Sequence, residues 1–183
     1  MNIGFFFMHP PGESMGSIYR VRNLCLGLTK LSHKCYVFTP FKFTENWGDL
    51  VEFISTPVMP SEKKISVSKY LYKIVRKILD IRILSSFTIL NPLLFNFTIQ
   101  RISYGLLNTL KEKKIALDVL IGETEIGGLI LNNIKNQLNF PLIVDYQNFW
   151  PEELVEHKII KRNGRTYRYL ISMEKRIINK IDF

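Results

Sequence analysis

The hydrophobic pattern changes period along the chain, and those changes mark its elements. The run Asn2–Met8 is almost continuously apolar, which is how a strand buried on both faces of a parallel sheet reads, and it predicts a first strand at the sheet centre. From Ser17 onward Ile18, Val21, Leu24, Cys25, Leu28 and Leu31 recur every three or four residues. That spacing predicts an amphipathic helix ending near Ser32-His33. A second strand, Cys35–Thr39, closes at Pro40, and a shorter third, Val51–Ser55, is stopped by Pro57 and Pro60.

The middle of the chain reads as helical. One helix is expected over about Ser66–Leu84, and another from Asn91-Pro92 to about Lys113, with Asn as cap and Pro at the first helical position. The pattern then returns to alternation. Leu117–Ile121 is read as a fourth strand and Pro141–Asp145 as a fifth. Between them a helix from about Thr124 places Ile126, Leu129, Ile130 and Ile134 on one face. Trp150-Pro151-Glu152-Glu153 resembles a helix start, and a last helix fills Thr166–Lys180. Strands alternating with helices predict a doubly wound α/β domain, a mostly parallel sheet with helices on both faces.

In such sheets ligands bind beyond the carboxyl ends of the strands. That singles out His9–Ser17, Gly122–Gly128 and Asp145–Glu153. In the first of these, Gly16 stands at a helix N-terminus whose free backbone N–H groups suit an anion. Two readings stay open there: an anion site, or a simple turn at Gly12 and Gly16 with Ser17 as the helix cap. The loop has neither the GxGxxG nor the GxxxxGK[ST] spacing, and the second strand ends in Thr39-Pro40 without a carboxylate for a ribose. A nicotinamide enzyme is therefore disfavoured.

Bulk properties narrow the rest. The 183 residues with 46% hydrophobic content suit one domain with one core. A net charge of +9 calls for an acidic partner: nucleic acid, anionic lipid or a phosphorylated substrate. No recognition-helix, zinc-finger or RNP-like pattern supports nucleic acid. Cys25 and Cys35 lack metal-site spacing and read as buried free thiols. No apolar stretch is long enough to span a bilayer, and the N-terminus lacks the basic flank of a signal peptide, so the reading is cytoplasmic.

Residues 62–84 carry seven basic side chains against Glu62 and Asp80. Lys69, Lys73, Arg76 and Lys77 fall on one helical arc, with Val67, Tyr70, Leu71, Ile74, Val75, Ile78 and Ile81 opposite. Such a helix either docks its apolar face on the sheet or lies at an anionic membrane surface, where the protein would be peripheral at the inner face of the cytoplasmic membrane.

The segment His9–Pro40, with Gly16, Arg20 and His33-Lys34-Cys35-Tyr36-Val37-Phe38-Thr39-Pro40, resembles the opening of the family 4 glycosyltransferases. Asp118-Val119-Leu120-Ile121-Gly122-Glu123 and Val144–Glu153 are similar to that family's fourth strand and its fifth strand with loop. Glu174–Phe183 is similar to its glutamate-bearing helix leading to the linking strand. The resemblance leaves out about Ser61–Asn91, read as a basic helical insertion at 61–91. Ser17 stands where a second glycine is frequent. Gln147 replaces a histidine common in relatives, and a glutamine hydrogen-bonds a sugar hydroxyl but is no base.

The resemblance implies that residues 1–183 are the N-terminal, acceptor-side Rossmann-like half of a GT-B fold, with the donor-binding domain absent from the chain. It implies retaining transfer of a sugar from a nucleotide sugar to a hydroxyl of a lipid, glycan or protein, with no cofactor beyond that substrate and little activity in this chain alone. Gly16, Ser17, Arg20, Glu123, Asp145, Gln147, Glu152 and Glu153 become the candidate substrate-binding residues. A non-catalytic glycosyltransferase-like binding subunit and a peripheral membrane-binding module remain alternatives.

Overall fold

The computed structural model describes residues 1–8, 16–57, 92–146 and 150–178. Its elements are β1 (Asn2–Phe6), α1 (Gly16–Lys30), β2 (Lys34–Thr39), β3 (Val51–Ser55), α2 (Pro92–Lys113), β4 (Val119–Glu123), α3 (Thr124–Ile134), β5 (Leu142–Asp145), α4 (Trp150–Glu156) and α5 (Arg165–Ile178). A short 3-10 turn, Lys135–Gln137, follows α3. All described strand pairs are parallel, in the order β3-β2-β1-β4-β5. β1 is central, as its unbroken apolar run requires.

Alternation along β1 divides the core in two. Ile3, Phe5 and Phe7 face one side, where they pack with Ile18, Val21 and Cys25 of α1. Phe6 faces the other and joins Leu106, Leu107, Leu129, Ile130, Leu170 and Ile177 of α2, α3 and α5. Successive side chains of a strand point to opposite faces, so one sheet feeds both clusters. On the α1 face the outer strands are roofed by aromatic rings from the loop after β2: Phe43 stacks on Phe53 at 5.0 Å, and Trp47 meets Phe53 edge-on at 4.7 Å. The indole N–H of Trp47 donates to Glu45 Oε2 at 2.8 Å, which lets that large ring sit buried.

Close backbone approach selects glycine at two places. A Cβ on Gly105 would lie 1.9 Å from the Pro57 carbonyl oxygen, so α2 can press against the chain leaving β3 only without a side chain there. Gly122 and Gly127 face each other so closely that a Cβ on either would fall 2.8 Å from the other's backbone. This contact brings α3 tightly over the end of β4.

Several boundaries differ from the sequence pattern. β1 ends at Phe6 rather than Met8, although the Phe7 N–H still donates to the Phe38 carbonyl at 2.9 Å. β4 runs Val119–Glu123 instead of Leu117–Ile121. The reason is tertiary: Leu117 is drawn into the core, and the ladder to β5 extends through Gly122↔Val144 to Glu123↔Asp145. Ser17 lies within the first turn of α1, so it is not the residue before the helix. The last helix begins one residue earlier than expected, at Arg165. Cys25 and Cys35 are buried and free, as their placement in a helix stripe and a strand implied. The expected helix over 66–84, with Lys69, Lys73, Arg76 and Lys77, lies outside the described residues, as does the whole 61–91 segment.

Candidate functional site

The order in which strands are added to the sheet reverses between β1 and β4. From β1 the chain moves outward to β2 and β3 on one side, while β4 and β5 extend the other. In an open parallel sheet such a switch point leaves a crevice beyond the carboxyl ends of the two strands. Gly16, the first residue of α1, borders this region, is exposed, and has open space where a Cβ would be. The loop that precedes it, residues 9–15, lies outside the described residues.

Two sequence candidates meet there. Arg20, one turn into α1, donates from Nη2 to Asp145 Oδ1 at 2.6 Å, across 125 positions of sequence. The Arg20 side chain is 53% exposed and that of Asp145 17%. A pair with so exposed an arginine contributes only about 0.2–1 kcal/mol to stability. Its larger structural effect is geometric: it ties α1 to the tip of β5 over the crevice.

Glu123 and Asp145 are register partners on β4 and β5, so their side chains share the α1 face of the sheet. Glu123 was expected in a loop but ends the strand, and it is 1% exposed. It therefore forms the floor of the region rather than an open contact. Directly after it, Thr124 has φ 63°. A β-branched residue in the left-handed region is strained, and this strain sits at the turn from β4 into α3.

The next residue of β5's tip points the opposite way. The Tyr146 hydroxyl donates to Glu174 Oε1 of α5 at 2.5 Å. Burial pushes the Tyr146 phenol well above its ordinary value, helped by the hydrogen bond to Glu174 and by the charges of Glu174 and Glu125. Burial likewise holds the Glu174 carboxyl above the ordinary carboxylate range; the Tyr146 bond opposes this, and the charge of Glu152 adds to it.

Glu152 and Glu153 occupy the first turn of α4 as expected. Glu152, however, accepts hydrogen bonds from Arg162 Nη2 and from the Tyr167 hydroxyl, each at 2.5 Å. It thus joins α4 to the start of α5. The structure brings Arg20 and Asp145 together, sets Glu123 beside Asp145, and gives Glu152 to a neighbouring network. Gln147 lies outside the described residues.

Sequence reasoning overlooked Glu125, Tyr146 and Glu174. For Glu174 a signal was present: Leu170, Met173, Glu174 and Ile177 are the buried positions of α5, so a carboxylate sits inside an apolar stripe. Among the described residues, no group of three His, Cys, Asp or Glu side chains is arranged to hold a metal ion. No helix among them is long and apolar enough to cross a membrane.

Chemically, the crevice offers the Asp145 carboxylate, which accepts hydrogen bonds, a guanidinium that donates to oxyanions, and a helix N-terminus at the same strand ends. No family model and no curated protein matches the sequence. Among solved structures, a UGT transferase from Siraitia grosvenorii in complex with UDP aligns over 78% of this chain and 27% of its own, with a TM-score of 0.38 and 14% identity. The apo structure of UGT2 from Phytolacca americana aligns over 96% of this chain with a TM-score of 0.53 and 9% identity. This chain spans 43% of that protein's length. The chain therefore has a Rossmann-like α/β fold of the kind found in GT-B glycosyltransferases.

Proposed function

We propose that this chain is the acceptor-side part of a glycosyltransferase that moves a sugar from a nucleotide sugar to a hydroxyl of a lipid, glycan or protein. The observation that carries the reading is the Arg20–Asp145 pair, set over the switch-point crevice of an all-parallel sheet. The family 4 resemblance of the flanking segments supports it. Asp145 would accept a hydrogen bond from the acceptor hydroxyl. Arg20 and the α1 N-terminus would face the donor phosphates, where negative charge grows on the departing diphosphate. The nucleotide itself would be held mainly by residues beyond this chain, and the anomeric configuration would be retained.

The test uses the full-length protein with a panel of nucleotide sugars, reading acceptor-dependent release of nucleoside diphosphate and the product anomer by NMR. Arg20→Ala and Asp145→Asn should each lower kcat/KM about ten- to a hundredfold, the scale of losing a charged hydrogen bond. Residues 1–183 alone should transfer no sugar. Full-length protein that binds glycan without consuming any nucleotide sugar would overturn the enzymatic reading in favour of a binding subunit. Robust turnover by residues 1–183 would overturn the two-part account.

A further inference from the structure

Carboxylates are rarely sealed from water, because burial penalises the charged form. Glu174 is 5% exposed and is buried with Leu170, Met173 and Ile177 along the apolar stripe of α5. For packing alone, an aliphatic residue would serve better at that position. What Glu174 reaches is the hydroxyl of Tyr146, the residue directly after β5.

The alternation of a strand gives this contact its meaning. Asp145 and Tyr146 are adjacent, so they leave the backbone on opposite faces. Asp145 is held from the α1 face by Arg20, and Tyr146 from the α5 face by Glu174. The tip of β5 is thus gripped from both sides at two consecutive residues. On the α5 side Glu125 of α3 acts on Tyr146, and Glu152 of α4 acts on Glu174. Arg162 and Tyr167 compensate Glu152.

We infer that Glu174 is a positioning residue for the crevice: by accepting the Tyr146 hydroxyl it fixes the tip of β5, and through it the place of Asp145 opposite Arg20. This rests on the glycosyltransferase reading only in the use to which Asp145 is put. The grip itself is independent of that use. Because the carboxyl is buried and bonded to the Tyr146 hydroxyl, its proton state sets the strength of the grip. The ionised form accepts the Tyr146 bond more strongly than the neutral acid.

The experiment compares native full-length protein with Tyr146→Phe, Glu174→Gln and Glu174→Ala. Side-chain carboxyl carbons are followed by NMR as the pH is changed. Removing the Tyr146 hydroxyl removes an interaction that lowers the Glu174 titration midpoint, so in folded Tyr146→Phe that midpoint should move up. The Asp145 carboxyl resonance should shift with it. Glu174→Gln keeps a carbonyl acceptor for the phenol and should leave Asp145 near its native position, while Glu174→Ala should displace it. In the transfer assay Tyr146→Phe should raise the acceptor KM about tenfold, with donor KM unchanged, and Glu174→Gln should flatten the acidic limb of the pH profile.

A folded Tyr146→Phe protein with unchanged Glu174 midpoint and unchanged Asp145 resonance overturns the inference, whatever happens to Glu174→Ala. If the protein consumes no nucleotide sugar but the resonances move as stated, the functional reading fails and the grip stands.

Discussion

The two halves of the sheet share one parallel ladder but end in different chemistry. On the β2–β3 side the strands finish in Thr39 and Ser55, and the face above them is roofed by Phe43, Trp47 and Phe53. On the β4–β5 side they finish in Glu123 and Asp145, followed by Tyr146, with Glu125 and Glu174 buried near by. Apolar packing holds both halves; the first adds ring contacts to it, and the second adds polar bonds between distant elements. The difference teaches that the candidate chemistry gathers on one side of β1, while the apolar core runs beneath both.

The strongest way to break that comparison lies on the β2–β3 side. Phe38 of β2 is fully buried, and Phe38→Ala should cost about 3–5 kcal/mol, a fall in Tm of roughly 6–20 °C for a domain this size. Calorimetry or thermal circular dichroism reads it. A loss below about 1 kcal/mol would mean that apolar packing does not hold the β2–β3 side.

A smaller and pH-dependent effect is expected on the other side. Burial raises the Glu174 carboxyl above its ordinary value near 4.5, so in the folded protein it keeps a proton that the unfolded chain has already released. Its contribution to stability is then complete below about pH 4.5 and is lost as pH rises through the raised value. Subtracting the denaturation curve of Glu174→Gln from that of the native protein should isolate this slope. A difference that grows in the opposite sense would show that the Tyr146 bond outweighs burial.

The smallest effect belongs to the pair at the crevice itself. Arg20→Ala should change stability by no more than about 1 kcal/mol, since the guanidinium is half exposed. If urea denaturation instead gave a loss comparable to Phe38→Ala, the pair would be a structural strut and the division between the halves would fail.

Much of the fold was legible before any coordinates. β3, the start of α3 and the start of α4 fall where periodicity, proline and the first-turn carboxylates put them. Errors gathered at the end of β4. There Gly122 and Glu123 looked like loop residues, yet the Gly122–Gly127 contact and pairing with β5 keep them in the ladder. Glycine in a strand signals close approach as often as a turn, and only the neighbour that approaches distinguishes the two. Of the site, Arg20 and Asp145 were named one by one; Tyr146 was passed over because an isolated tyrosine after a strand carries no periodic signal, and Glu174, although it interrupts an apolar stripe, was read as part of its helix and not of the site.

What the sequence by itself determined is local: which segments are strands buried on both faces, which helices carry one apolar stripe, and hence an α/β sheet with β1 at its centre. These follow from periods of about two and 3.6 residues that any single segment displays. Tertiary structure alone decided that Arg20 meets Asp145, that Tyr146 meets Glu174, and that Glu123 is sealed beneath them. Those contacts depend on strand order and on how closely helices approach the sheet, quantities set by the packing of all the elements together, which no local pattern encodes.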